Sequence, residues 1–195
     1  MALVARVRML RSRMGDLRRC QAGIGAVEFA LIAPFLFALY LGGSEISMAV
    51  TINRKVEHTA STINDLVAQA QTLSQTDFEG IYDIAKSLLA PYSSTGLMIR
   101  VTSVHIDNQG VAKVHWSCPT TGMAKLAANA SFTLPGQFAA LRDRYIIVAE
   151  TRFPYTPLTA YGLSSLTEMG GTSYLDPRIG ASVTSPTNGC STLTL

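Results

Sequence analysis

Charge is scarce in this chain. Only 15% of its 195 residues are Asp, Glu, Lys or Arg, and from Ile24 to Gly43 Glu28 is the only charged side chain. The patterns of common catalytic chemistry are missing as well. There is no G-x-S-x-G elbow, no phosphate-cradling glycine loop and no pair of acids in a catalytic setting. Gly170-Gly171 falls in an aperiodic stretch and is too weak to read as one. Histidines number three and cysteines three, with no C-x-x-C and no Cys/His spacing of a zinc site. His58 falls on the polar side of a predicted helix. His105 and His115 point to opposite faces of a predicted hairpin and so do not share a metal. These absences argue against an enzyme and imply no catalytic residue, no cofactor and no metal.

What is present is concentrated at the N-terminus. Residues 1–23 hold Arg6, Arg8, Arg11, Arg13, Arg18 and Arg19 against Asp16 alone, a net +5 that leaves −2 on the rest of a +3 chain. The basic balance therefore belongs to this flank and does not indicate nucleic acid as a partner. Roughly 20 apolar residues, 24–43, follow it, enough to cross a hydrocarbon core of about 30 Å. Basic residues ahead of the span place the N-terminus in the cytoplasm and everything after Ser44 outside. Ser47-Met48-Ala49 loosely fits a secretory cleavage site, but the apolar run is longer than the 7–15 residues of such signals. Cys20 lies in the basic flank. Cys118 and Cys190 lie in the exported part and are free to pair in an oxidising compartment; two unpaired thiols are the alternative.

The pattern beyond the span predicts an α+β fold. Pro34 interrupts the helix ladder inside the span, releasing the Ala30 carbonyl, either as a tolerated membrane proline or as a kink that helps subunits pack. Ile46, Ala49, Asn53, Val56, Ala60, Ile63, Val67 and Ala70 continue at alternating spacings of three and four. This predicts one helix from about Gly25 to Leu73, near 70 Å long. Its outer half covers the domain's own sheet, and its first half faces other subunits. Thr76-Asp77-Phe78-Glu79 reads as a capping box opening a second, short helix with Phe78, Ile81, Ile84 and Leu88 on one face. Leu97–Ile106 and Val111–Ser117 form a hairpin about Asn108-Gln109, pairing Val101 with Trp116, Ser103 with Val114 and His105 with Ala112. Ile99, Val101, Val114 and Trp116 then share the core face. Tyr145–Ala149 is apolar on both sides and reads as a central strand, extended through Phe153 and stopped by Pro154 and Pro157. From Gly162 on, no period survives and a surface loop is expected. The resulting organisation is a basic leader (1–23), a transmembrane helix (24–43), extracytoplasmic helices (44–91), a small antiparallel sheet domain (92–161) and a Ser/Thr/Gly-rich tail (162–195).

A glutamate at the mouth of a membrane span, costing roughly 2.5–3.5 kcal/mol on insertion scales, is a functional candidate. The run Gly23-Ile24-Gly25-Ala26-Val27-Glu28-Phe29 behind the arginines resembles a prepilin leader. Ala26-Val27-Glu28-Phe29-Ala30-Leu31 followed by Ala33-Pro34 resembles the TadE/TadG-like family of tight-adherence (Flp) pilus assembly proteins. The resemblance implies cleavage after Gly23 by a prepilin peptidase, Ile24 as the new N-terminus and Glu28 as the fifth-position acid. Cutting after Gly25 would leave Glu28 third. Glu28, Phe29 and Pro34 would serve assembly, with other pilins or pseudopilins, the inner-membrane assembly platform and the lipid bilayer as partners. Larger TadG-type relatives carry an added von Willebrand-like domain and a major Flp pilin is shorter, so the length suits a small TadE-type pseudopilin. The implied location is the bacterial inner membrane, single pass, with the C-terminal domain periplasmic. The rival reading is an uncleaved, membrane-anchored periplasmic binding or scaffold domain.

Overall fold

A computed structural model describes residues 23–157, 167–185 and 190–193. The arginine-rich leader with Cys20, and the start of the tail after Gly162, lie outside the described residues. The chain divides into two compact units, Met1–Glu45 and Ile46–Leu195. The elements are α1 (Ile24–Ala68), α2 (Gln75–Leu88), β1 (Met98–Ile106), β2 (Ala112–Pro119), a 3-10 turn (Gly136–Phe138), β3 (Arg144–Tyr155) and β4 (Thr167–Leu175). The strands form one antiparallel sheet in the order β2-β1-β3-β4. A long N-terminal helix, a short second helix and a small antiparallel sheet are the α+β fold that the pattern predicts.

Both faces of the sheet are covered. On one, Ile99, Val101, Trp116, Ile147, Ala149 and Phe153 meet Ile52, Val56, Ile63 and Val67 of α1 and Phe78, Ile81, Tyr82 and Ala85 of α2. On the other, Val104, Ile106, Ile146 and Val148 are roofed by Phe132, Leu134, Phe138 and Leu141 from the β2–β3 connection. This explains why β3 is apolar at successive positions: a strand buried on both faces has no polar side. Arg100 and Glu150 form a largely buried pair across β1 and β3, with Arg100 Nη2 2.7 Å from Glu150 Oε2. Their two-pronged geometry meets the hydrogen-bonding need of each charge.

Polar groups set where α1 lies on the sheet. The Thr151 hydroxyl donates to the Val56 carbonyl at 3.0 Å, and Asn64 Nδ2 donates to the Ile147 carbonyl at 3.1 Å. Eight helical residues rise about 12 Å and four strand residues about 13 Å, so the two bonds are in step and α1 runs antiparallel to β3. Close approach needs a missing side chain on β4: a Cβ on Gly171 would stand 2.7 Å from Glu57 Cα. Asn64 is buried although it falls off the predicted seam, whereas Ile46, on that seam, is 60% exposed. The helix ends at Ala68 rather than Leu73.

Several expectations are corrected. The cap of α2 is Ser74 with Asp77, not Thr76 with Glu79: Asp77 N–H donates to Ser74 Oγ, and Ser74 N–H to Asp77 Oδ2 at 2.8 Å. The Ser74 amide and then the Ser74 hydroxyl, at 2.7 Å, donate to the Asp77 carboxylate and hold it below the usual carboxylate range. The buried stripe of α2 takes in Tyr82 and Ala85, and Ile84 is exposed. Tyr82 can be buried because its hydroxyl donates to the Cys118 carbonyl at 2.7 Å; burial pushes its pKa up. Pro154 lies within β3 rather than ending it, and residues 167–175 are a strand, not a loop.

The hairpin register is also different. Val101 faces Cys118, Ser103 faces Trp116 and His105 faces Lys113, with a bulge that leaves His115 unpaired between Trp116 and Val114. Carboxylate Asp107 organises the turn, accepting the Gln109 and Val111 amides. Those bonds, Val111 first, lower its pKa. A bulge redirects the side chain it carries, and here it brings His115 to the ring of Tyr145, 5.1 Å between centroids, against which His105 stacks at 4.5 Å. The two histidines thus flank one tyrosine instead of occupying opposite faces.

Two predictions follow from this packing. Replacing Gly171 by Ala forces α1 off β4, and the expected loss of stability is about 1–3 kcal/mol, read as a lower midpoint in denaturant. The His115 pKa is lowered by burial and then by His105. A base whose folded pKa is below its unfolded value of about 6.5 favours folding above that value and loses the contribution as pH falls toward the folded one. Thermal unfolding scanned from pH 7.5 to 5 should show a decline beginning near 6.5 that His115→Gln flattens. An unchanged slope in the variant assigns the decline elsewhere. Asp143, beside His105, and Asp107 with Lys113 are the other charged groups nearby.

Candidate processing and assembly site

The residues singled out from the sequence stand at the start of α1. Ile24 is its first α-helical residue, preceded by Gly23 in a 3-10 conformation. Among the described residues, no heavy atom other than those of the chain neighbours and of α1's own nearby backbone lies within 4 Å of where a Cβ on Gly23 or Gly25 would be. Ile24 and Glu28 are four residues apart on one helix and therefore lie one above the other on a single face. Val27 and Phe29 beside Glu28 are 61% and 65% exposed.

Pro34 sits inside α1, which continues through it from Ile24 to Ala68. A membrane helix tolerates a proline where neighbouring groups or a local adjustment re-satisfy the carbonyl it frees. Around it, Phe29, Ala33, Leu36, Phe37 and Tyr40 line a shallow apolar groove of about 390 Å³. Their spacings of four, three, one and three put all five on one face of the helix. The first 18 or more residues of α1 are apolar enough to cross a membrane, and α1 is the one helix among the described residues with that property.

The other candidates lie in the second unit. Cys118, on β2, and Cys190 are joined in a disulfide, with Cα atoms 5.0 Å apart. His58 is exposed on α1, and its carbonyl accepts the Thr62 hydroxyl at 2.9 Å. Among the described residues no three His, Cys, Asp or Glu side chains gather as metal ligands. Sequence reasoning passed over the residues that seat α1 on the sheet, Asn64, Thr151 and Gly171. Their signal is weak, because a buried Asn on a helix and a Gly in a strand both resemble exposed positions until their partners are known.

No curated protein and no solved structure matches the chain. A family model described as TadE-like protein matches residues 23–63, opening at Gly23, taking in Glu28, Phe29 and Pro34 and stopping within α1, so that this stretch of the chain is TadE-like, as the motif from Ala26 to Pro34 implies.

Proposed function

We propose that this protein is a minor pilin or pseudopilin of the tight-adherence class, processed by a prepilin peptidase and acting in pilus assembly. The TadE-like stretch that begins at Gly23, immediately before the first residue of α1, carries the reading. The role is structural, not catalytic. The protein spans the bacterial inner membrane once, with the arginine-rich leader cytoplasmic and the second unit periplasmic, and it meets other pilins or pseudopilins and the assembly platform through α1.

The chemistry is that of two charges at a membrane edge. Cleavage after Gly23 turns Ile24 into a cationic N-terminus one helical turn from the Glu28 carboxylate. Within lipid neither charge is well hydrated, so each gains from neutralising the other, in the same chain or between neighbours. Between chains, the pairing favours lateral packing at a set axial stagger. The groove at Ala33 accepts an apolar side chain from the adjoining helix.

The experiment is to determine the N-terminus and intact mass of the protein recovered from host membranes with and without the peptidase. A chain starting at Ile24 only when the peptidase is present is the expected result. A chain that keeps its leader in both overturns the reading in favour of an anchored periplasmic scaffold. Given cleavage, Glu28→Ala should leave insertion and processing intact and reduce incorporation into pili by about tenfold or more, equal to about 1.4 kcal/mol or more per contact. Normal incorporation of that variant removes Glu28 from the assembly step.

A further inference from the structure

The chain treats the two edges of its sheet differently. β2, at one edge, is covered at both ends. Val114 N–H donates to the Ala130 carbonyl at 2.9 Å, Phe132 N–H to the Ala112 carbonyl at 3.0 Å, and Leu193 N–H to the Pro119 carbonyl at 3.1 Å. β4, at the other edge, pairs with β3 along all nine of its residues without a bulge. Among the described residues, no strand, bridge or backbone bond from another segment lies on its far side. An open edge offers a row of N–H and C=O groups to any extended chain, and proteins commonly blunt one with Lys, Pro or a bulge. β4 has none of these, and Glu168 is its one charge. Met169 belongs to the core cluster on the α1 side, and Tyr174 packs on the other face against Phe138 at 5.4 Å. A strand added here finds apolar ground on both faces.

We infer that the outer edge of β4 is a docking site for an extended, basic strand of a different polypeptide, which joins the four-stranded sheet by main-chain hydrogen bonds. The sign of the charge follows from the side chains at the edge. Glu168 and Asp176 stand at its two ends, and Glu57 of α1 lies over Gly171 at its middle, all three exposed. Of the nearby cations, Arg152 pairs with Glu168 at 3.5 Å and Arg178 is taken by Asp65. Glu57 accepts the neutral Asn53 amide. The edge is left acidic, and a strand with Lys or Arg complements it.

A second copy of this chain does not meet these terms. Because α1 runs with β4, antiparallel pairing of two β4 strands turns the second α1 end for end, whereas two chains held by α1 in one membrane enter their second units from the same side. Parallel pairing about an axis along the strands sets identical groups level, donor against donor, where a parallel ladder needs a stagger. Pairing of β4 with β2 of another copy meets an edge already covered at both ends. Exclusion of the antiparallel pair rests on the membrane-anchored reading above; the open edge does not.

The test is amide hydrogen exchange on the full chain in detergent micelles, with synthetic peptides as probes. One peptide alternates threonine and valine between terminal lysines. A second carries glutamates in place of the lysines, and a third is the lysine peptide N-methylated at every residue, which removes its donors. In the free chain, alternate amides of β4 should exchange fast. The lysine peptide should slow them and bind at least about tenfold more tightly than the glutamate peptide, while the N-methylated peptide leaves them unchanged. Slow exchange throughout β4 in the free chain, at every concentration, means that the chain closes its own edge. Protection that grows with the concentration of the chain alone means a second copy. Either result overturns the inference, as does a lysine peptide that slows no amide of β4, equal binding of the glutamate peptide, or equal protection by the N-methylated one. A chain that keeps its leader alters none of these readouts, so failure of the pilin reading is seen separately, at the N-terminus.

Discussion

The seating of α1 on β3 and β4 is the constraint on which the second unit depends. It is made by a helix carbonyl and a helix side chain bonded to the sheet, Val56 to Thr151 and Asn64 to Ile147, and by the missing side chain at Gly171. Apolar burial alone would let a helix slide along a sheet, since the hydrophobic effect is not directional. Two bonds eight residues apart on the helix and four apart on the strand fix the axial position. A buried amide that loses its partner is penalised by about 1–3 kcal/mol. Thr151 and Asn64 therefore act as register marks, and Gly171 lets the backbones come close enough for both bonds to form.

That arrangement explains which parts of the fold were legible in the sequence. The long helix, the short helix and the central strand were readable because each has a strong period or an unbroken apolar run. β4 was not, since Gly170-Gly171 and neighbouring Thr and Ser carry no apolar alternation. The glycine that made 167–175 look like a loop is there because it is a strand packed under a helix. The hairpin register is displaced twice: the turn already sets His105 opposite Lys113 rather than Ala112, and the bulge at His115, which alternation cannot reveal, adds a second residue, so that Val101 meets Cys118 rather than Trp116. The helix cap was displaced because Ser74/Asp77 and Thr76/Glu79 both fit the spacing, and the choice between them depends on where the chain enters the helix. At the candidate site, Gly23, Ile24, Glu28 and Pro34 were visible because one charge in an apolar run stands out without any tertiary information.

Besides its apolar core, the second unit is held by specific polar ties between segments distant in sequence. Lys55 reaches across from α1, its Nζ donating to the Leu88 carbonyl at 3.2 Å and the Ala90 carbonyl at 2.8 Å at the C-terminal end of α2, where a cation also suits the helix dipole. The indole N–H of Trp116 finds the Val183 carbonyl at 2.8 Å, so a large aromatic can sit in the core with its polar atom satisfied. Arg178 pairs with Asp65 and its amide donates to the Ala68 carbonyl at 2.8 Å, tying the chain after β4 to the end of α1. Each device joins segments distant in sequence, which is why none is announced by local pattern.

The start of α1 obeys a different physics. Ile24, Phe29, Leu31, Phe35, Phe37, Leu39 and Tyr40 are all at least half exposed, far more apolar surface in one run than a water-soluble face tolerates. Lipid covers such a surface as well as another helix would, so burying it supplies no preference for one partner over another. Choice of partner must come from what lipid cannot match. On this helix that is shape at the Ala33 groove, which rewards close packing, and the carboxylate of Glu28, which lipid does not neutralise. Of these two the charge is the more discriminating, because a neighbour lacking a cation at the same depth leaves it unpaired, whereas a poorly fitting side chain at the groove loses only part of its van der Waals contact. On the reading proposed above, selection along this helix rests on the depth of one carboxylate, with the groove refining the fit once the charges are level.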